Sequence, residues 1–137
     1  MHTLIVTKSN TEIVQQAFAD FGAGNIAGIV DECTADAVWG TWDNAVLPYA
    51  KTFTGKTGIA EFFNLLATTL NYTAFEPKEF YAVGNKVFAK VYQAATVKAT
   101  GKSYAHDCMM EFTFRSKKMC RFFAYVDIAD QVQAFTK

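Results

Sequence analysis

A histidine and an aspartate in the C-terminal part of the chain are the side chains best suited to acid–base chemistry. His106 and Asp127 lie on consecutive segments predicted as strands, and pairing these strands around a turn at Ser116-Lys117 sets the two residues opposite each other. A carboxylate beside an imidazole orients the ring, fixes its tautomer and favours its protonated form. Such a pair can act as a general acid or base, or it can simply tie two strands together.

Aromatic and apolar side chains are expected to form the walls of a pocket around this pair. Tyr125 is either a hydrogen-bond donor to a ligand or an aromatic side chain that fills the core. Trp39 and Trp42 have opposite parity in one strand, so only one of them is expected to line the pocket. Further candidate contacts, taken from a loop, a helix and two strands, are Tyr49, Phe53, Phe62, Met110 and Phe123.

No pattern in the sequence indicates a metal site or a phosphate-binding loop. The three cysteines, Cys33, Cys108 and Cys120, form no Cys-x-x-Cys pair, and the chain has only two histidines. The glycines at 55–58 lack the spacing of a P-loop. We therefore expect no metal and no cofactor, and the odd number of cysteines favours a reducing, cytoplasmic setting.

The composition predicts one folded domain, residues 1–137, without a nucleic-acid or membrane partner. Hydrophobic residues make up 51% of the chain and charged residues 19%, which excludes a disordered protein. Thirteen basic and 13 acidic residues cancel, whereas nucleic-acid-binding proteins usually have a basic excess. No apolar run is long enough for a membrane span, and the one at 4–6 is too short for a signal peptide.

Helical patterns precede strand patterns along the chain. Ser9 and Glu12 form a capping box that begins a helix, a short helix is expected after Asn25, and an amphipathic helix is predicted over 58–70. Other predicted elements are a strand over 37–42, a loop over 46–58 with or without a short strand, and a β pattern from Tyr72 onward that includes a strand over 80–83. Strands over 86–99, 103–115 and 118–128 follow, and a short helix or tail over 129–135 comes last. This order indicates an α+β fold: a cone-shaped barrel in which N-terminal helices cover the concave face of a strongly bent, mostly antiparallel sheet.

Turn positions predict the register of the last three strands. With two-residue loops in both hairpins, Cys108 faces Tyr125 and Val97 faces His106. The same two-residue loop at Ser116-Lys117 places Met110 opposite Phe123 on the concave, core-facing side of the sheet. The opposite face, which includes Phe122, is too apolar for solvent alone and predicts a homodimer formed sheet to sheet.

Several segments resemble the SnoaL-like family of the ketosteroid-isomerase-like, nuclear-transport-factor-like superfamily. They are Val38-Trp39, Pro48, the run at 53–58 that leads into Phe62-Phe63, and Tyr125-Val126-Asp127. The resemblance implies the α+β cone, a pocket for a small hydrophobic molecule, and a homodimer formed through the sheet. It implies less about chemistry, because this fold carries cyclases, isomerases, dehydratases, epoxide hydrolases and plain binding domains.

The resemblance also bears on Asp127. In some SnoaL-like cyclases and in the related limonene epoxide hydrolases, an acidic residue at this position acts as acid or base; alternatively, Asp127 caps the C-terminal helix. Gly40 and Thr41 stand where ketosteroid isomerase has its basic aspartate, which excludes that reaction. Two hypotheses stay open. One is a cofactor-independent cyclase, isomerase or dehydratase acting on a hydrophobic carbonyl or polyketide-like substrate. The other is a non-catalytic ligand-binding or dimeric assembly module.

Overall fold

The computed structural model describes residues 8–137. The prediction that the run at 4–6 is too short for a signal peptide therefore concerns residues outside the described range. The described elements, in chain order, are α1 (Asn10–Gly22), α2 (Ile26–Asp31), β1 (Cys33–Thr41), β2 (Thr52–Thr54), α3 (Gly55–Thr69), β3 (Leu70–Val83), β4 (Lys86–Val97), β5 (Ser103–Arg115), β6 (Lys118–Tyr125) and α4 (Ile128–Phe135).

The strands form one curled, unclosed sheet in the order β2-β1-β6-β5-β4-β3. Neighbouring strands are antiparallel except β1 and β6, which are parallel. Helices α1 and α3 pack against the sheet, and α4 packs against β5 and β4. The predicted α+β fold, with a bent and mostly antiparallel sheet under N-terminal helices, is confirmed. No helix within residues 8–137 is long and apolar enough to cross a membrane.

Helix α1 begins at the predicted capping box. The Ser9 hydroxyl accepts a hydrogen bond from the Glu12 N–H at 3.1 Å, and the Glu12 carboxylate accepts one from the Ser9 N–H at 2.9 Å. The apolar face of the helix then turns toward the sheet, where the Phe18 ring lies 5.9 Å from the rings of both Phe75 and Phe112. These contacts position α1 over the concave face.

The hairpin between β4 and β5 has a longer loop than predicted. Strand β4 ends at Val97, and Thr96 pairs with Ser103, so His106 lies opposite Gln93. The prediction that Val97 faces His106 is wrong because the strands separate before the turn. The predicted and observed registers differ by an even number of residues, so the same side chains still face inward.

An irregularity in the pairing of β5 with β6 makes the predicted register of this hairpin wrong beyond the first pairs next to the turn. Beside the turn, Phe114 faces Met119 as predicted, but the ladder then shifts by one residue at Cys120, and Phe112 faces Phe122. A shift of one residue moves every later side chain to the other face of the sheet. Phe122 is therefore buried in the core, which contradicts its predicted place on the outer face.

The same shift moves two predicted pocket residues outward. Phe123 and Tyr125 do not face Met110 and Cys108; they pack around Trp42, with ring centroids 5.0 Å and 5.6 Å from it. Tyr125 is 41% exposed. The predictions that place Phe123 and Tyr125 on the concave side are wrong, because the irregularity lies between them and the turn.

Asp127 lies beyond the sheet. Strand β6 ends at Tyr125, and the Asp127 carboxylate accepts a hydrogen bond from the Asp130 N–H at 3.0 Å as the N-terminal cap of α4. The predicted opposition of His106 and Asp127 is therefore wrong. The alternative considered from the sequence, in which Asp127 caps the C-terminal helix, is confirmed.

Candidate functional site

A cavity of about 80 Å³ lies between the helices and the concave face of the sheet. Its walls come from every layer of the fold: α1 contributes Phe18, β1 contributes Trp39, α3 contributes Phe62, and β5 contributes Met110 and Phe112. Large rings from opposite layers meet at their edges and do not fill the space completely. Among residues 8–137, no Asp, Glu, Lys, Arg or His side chain lines this cavity.

The mouth of the cavity is marked by the lining residues that are only partly buried. Four of them lie together, Phe18 and Phe21 of α1 and Tyr72 and Phe75 of β3, and the fifth, Val126, lies apart from them after β6. Phe21 and Phe75 are in contact, with ring centroids 4.8 Å apart. An apolar cavity of roughly 150 Å³ accommodates benzene, so a ring-sized ligand requires these four side chains to move outward.

Polar side chains in the wall form two hydrogen-bonded groups, which meet where the hydroxyls of Tyr49 and Tyr104 contact each other, and together they make up the polar cluster. Tyr49, from the loop after β1, donates to the Gln131 side-chain oxygen of α4 at 2.6 Å. Tyr104 of β5 donates to the side-chain oxygen of Gln93 of β4 at 3.5 Å, and the Gln93 amide donates to the Cys108 sulfur at 3.1 Å. Buried polar groups need such partners, and both glutamines are at most 3% exposed.

The two tyrosines of this cluster are held in their neutral form. Burial raises the pKa of Tyr104 to about 12. Burial also raises the pKa of Tyr49 well above its ordinary value. Both hydroxyls therefore stay protonated near neutral pH, where they form hydrogen bonds and do not serve as bases.

His106 lies directly behind the cluster and outside the cavity wall. Its Nδ1 lies 2.8 Å from the Asp130 carboxylate, and its Nε2 lies 3.3 Å from the Gln131 amide nitrogen. The ring stacks on Tyr104 with centroids 5.3 Å apart, and its side chain is 8% exposed. The partner of the imidazole is thus Asp130, which the Asp127 cap positions in the first turn of α4.

Trp39 combines an apolar contact with an unused donor. Its ring stacks on Phe122 with centroids 4.5 Å apart, and the residue is 2% exposed. Its indole nitrogen is buried and has no hydrogen-bond partner among the residues that the structure describes. Trp42, three positions later, is 43% exposed and donates to the Val126 carbonyl on the outer side.

The structure separates the predicted site residues into three groups. Four of them line the cavity: Trp39, Tyr49, Phe62 and Met110. Phe53 is buried against Phe62 with ring centroids 5.4 Å apart but is not part of the lining. The residues outside the cavity are Trp42, His106, Phe123, Tyr125 and Asp127.

Sequence reasoning did not assign a role to Asp130 or Gln131. Both follow the Asp127 cap, and Gln131 lies on the buried side of α4 at 2% exposure. The feature of the sequence that could have indicated Gln131 is a glutamine on the otherwise apolar face of a short helix. Within the described part of the chain, no group of three or more potential metal ligands comes together.

Comparisons with known proteins agree with this architecture. The family model described as the SnoaL-like domain matches residues 14–122. An NTF2-like protein from Burkholderia xenovorans LB400 is 25% identical, with a TM-score of 0.85 over 97% of this chain and 100% of its own. No curated protein sequence matches the chain.

Two further solved structures share the fold at lower identity. TerC, co-crystallised with polyporic acid, is 23% identical, with a TM-score of 0.81 over 92% of this chain and 97% of its own. A candidate polyketide cyclase from Xanthomonas campestris pv. campestris is 14% identical, with a TM-score of 0.78 over 93% of this chain and 96% of its own. At these identities the likeness extends to the fold alone.

Proposed function

We propose that this chain, which belongs to the family of SnoaL-like domains, binds a small, uncharged and mainly apolar molecule in the cavity between its helices and its sheet. The composition of the cavity wall carries the proposal. Its described side chains are aromatic or aliphatic apart from one cluster of neutral polar groups, which includes Tyr49, Gln93, Tyr104 and Gln131, and apart from Thr41, whose hydroxyl donates to the Ala124 carbonyl. An apolar wall with a few convergent polar groups is the usual form of a small-molecule site.

The same wall argues against a charged ligand. An ion taken from water into an apolar cavity loses several kcal/mol of hydration, which only an opposite charge or several hydrogen bonds can offset. No described side chain in the lining supplies the opposite charge. The expected ligand is therefore neutral, with polar atoms only where they meet the cluster.

Fluorescence offers a direct test, because the chain has two tryptophans and only Trp39 lines the cavity. In a Trp42→Phe variant, Trp39 is the single emitter and is expected to respond to acetophenone, a neutral ring compound. Benzoate has a similar size but carries a charge, and it should bind at least tenfold more weakly. Equal binding of both compounds, or no response to either, would overturn the proposal. A Trp39→Phe variant, in which Trp42 is the emitter, serves as the matched control.

A second candidate function is acid–base catalysis on a hydrophobic carbonyl or polyketide-like substrate, as in a cyclase, isomerase or dehydratase. The His106–Asp130 pair favours it, because the imidazole contacts two residues of the cavity wall, the Tyr104 ring and the Gln131 amide. A direct proton transfer requires that amide to swing aside. His106→Gln separates the two functions: it should abolish turnover in an enzyme but change ligand affinity less than threefold in a binding protein.

The outer face of the sheet supports the homodimer that we also propose. Trp42 and Tyr125, both more than 40% exposed, form an aromatic cluster with Phe123 there. The Tyr125 hydroxyl donates to Glu111 at 2.9 Å, and Glu111 also pairs with Lys86. Aromatic groups with a few satisfied polar partners are typical of surfaces between subunits.

A cytoplasmic location also remains a proposal. Cys33 and Cys108 are buried and free, and Cys120 is free and partly buried. Burial raises the pKa of the Cys33 thiol to about 12, so this cysteine is unreactive. Free thiols fit a reducing compartment.

A further inference from the structure

The side-chain amide of Gln131 joins His106 to the tyrosine hydroxyls of the cavity wall. Its nitrogen lies 3.3 Å from the His106 Nε2, and its oxygen accepts the Tyr49 hydroxyl at 2.6 Å. Gln131 is 2% exposed, so water does not readily take over either contact. Because an amide has donors at one end and an acceptor at the other, the end that faces the imidazole determines which end Tyr49 meets.

With a neutral imidazole, the hydrogen bonds of this cluster point toward His106. The amide nitrogen can only donate, so Nε2 is the acceptor and the ring proton is on Nδ1, which donates to the Asp130 carboxylate at 2.8 Å. The amide oxygen therefore faces Tyr49 and receives its proton. The Tyr104 hydroxyl has one proton for two acceptors, the Gln93 oxygen at 3.5 Å and the Tyr49 oxygen that it contacts.

A proton that the imidazole takes up from water reverses this order. In the imidazolium both ring nitrogens donate, so the Nε2 proton and the Gln131 amide protons would face each other across 3.3 Å. Rotation of the amide by half a turn removes the conflict, because its oxygen then accepts from Nε2. Its nitrogen now donates to Tyr49, whose own proton needs a new acceptor. The Tyr104 oxygen, which is in contact with it, is that acceptor.

The tyrosines respond by reorientation because they do not ionise. Burial raises the pKa of Tyr104 to about 12 and raises the pKa of Tyr49 well above its ordinary value. Both hydroxyls therefore keep their proton between about pH 5 and 8, where histidines change charge. Turning a hydroxyl moves only a hydrogen atom, so the change requires no repacking of the wall.

We propose that the Gln131 amide is a pH-sensitive switch: protonation of His106 flips it and reverses the hydrogen bonds of the hydroxyls that line the cavity. Those hydroxyls belong to Tyr49 and Tyr104. His106 and Asp130 act as positioning residues outside the wall. The switch operates in the protein without a ligand, so its failure would leave the small-molecule binding proposed above untouched.

The titratable groups around the imidazole come mainly from α4 and β5. They are Asp127 and Asp130 on α4 and Tyr104, Asp107 and Cys108 on β5. Within residues 8–137, Asp130 is the carboxylate that pairs with the ring. Asp107 is exposed on the other face of its strand, and burial raises the pKa of Cys108. Strand β4 presents the neutral Gln93 opposite His106, and the loop after β1 contributes Tyr49 beyond the amide.

Nuclear Overhauser contacts of the Gln131 amide protons follow the switch directly. In a ¹⁵N-labelled His2→Gln variant, His106 is the single histidine, and its ring nitrogen signals show when it takes up a proton. While the ring is neutral, the amide protons should contact the His106 ring protons. After protonation, they should contact the Tyr49 ring instead. Amide protons that keep their contact with the His106 ring throughout the titration would overturn the proposal.

Two variants distinguish the switch from a charge that is sensed through space. In the His2→Gln protein, the ¹³Cζ signal of Tyr49 should move with the same pH midpoint as the His106 ring. Gln131→Met keeps a side chain of similar length without the amide, and it should abolish the Tyr49 response while His106 still titrates. A Tyr49 signal that moves equally in both proteins would refute the switch.

Asp130→Asn provides the second variant. It removes the charge beside the imidazolium, so both midpoints should move to lower pH, and by the same amount. A Tyr49 midpoint that stays in place while the His106 midpoint moves would also refute the coupling. The Overhauser test leaves Gln131 and Asp130 intact, so it decides the question even if a variant does not fold.

Discussion

Removal of the Tyr49 hydroxyl is the sharpest test of the polar cluster. In Tyr49→Phe the ring keeps its contact with Phe135, whose centroid lies 5.9 Å away, so packing changes little. The Gln131 oxygen, however, loses the donor that now lies 2.6 Å from it. Because Gln131 is 2% exposed, water does not readily replace that donor.

The magnitude follows from this burial. A buried polar atom left without its partner costs about 1–3 kcal/mol. We expect the free energy of unfolding to fall by that amount, which lowers the urea midpoint by roughly 0.5–1.5 M for a slope of about 2 kcal/mol/M. Urea unfolding followed by circular dichroism measures the change.

Tyr81 provides a matched control for this experiment. It is 48% exposed, and its hydroxyl donates to Glu79 at the surface. Tyr81→Phe makes the same chemical change and should cost less than about 0.5 kcal/mol. If Tyr49→Phe and Tyr81→Phe lower the midpoint equally, the buried hydrogen bond to Gln131 does not contribute and the reasoning is refuted.

Three further predictions concern the turn between β5 and β6, the outer face of the sheet, and the stability of the protein at acidic pH. Ser116 and Lys117 adopt φ values of 50° and 66°, which glycine and asparagine tolerate better. Ser116→Asn with Lys117→Gly should therefore raise the free energy of unfolding in urea by about 0.5–1 kcal/mol. An unchanged or lower urea midpoint would contradict this. Tyr125→Glu should halve the mass measured by sedimentation if the outer face joins two copies, and an unchanged mass would exclude that interface. Hydrogen bonding to Lys86 holds the pKa of Glu111 below its ordinary value of 4.5. The stability that this carboxylate contributes is therefore present above about pH 4.5 and is lost as the pH falls through the lowered pKa. Glu111→Gln should make the loss of stability on acidification shallower, and an identical acid profile would rule out this contribution.

The elements that local patterns specify were predictable from the sequence. The capping box at Ser9 and the apolar spacing after it depend on residues within a few positions of one another, and the structure retains both. Alternating apolar residues likewise identified the inward faces of β4 and β5. The structure has the same inward faces, although the loop between these strands is longer than predicted. Local consistency of this kind is sufficient for the order and type of the elements.

The register of β6 could not be read from its residues. Phe122 and Phe123 are adjacent, so an aromatic side chain falls on each face in either register, and the alternation is compatible with both. The observed choice buries Phe122 against Trp39, 4.5 Å between ring centroids. That contact joins residues far apart in sequence, and no pattern within the strand predicts it.

The partner of His106 was missed for a related reason. The expected strand continued through Asp127, whereas the chain leaves the sheet after Tyr125 and turns into α4. This turn makes Asp127 a helix cap and brings Asp130 to the imidazole instead. The end of a strand and the start of a helix within a few residues depend on tertiary packing, which the local sequence does not specify.

Two neighbouring methionines allow the most direct test of the central claim, which is that a small neutral molecule binds inside the fold. Met110 lines the cavity, whereas Met109, the preceding residue of the same strand, is not part of the lining. In protein labelled with ¹³C-methyl methionine, 4-hydroxyacetophenone should shift the Met110 methyl signal and leave that of Met109 in place. A shift of Met109 without a shift of Met110 would move the ligand to the outer face of the sheet and contradict the account.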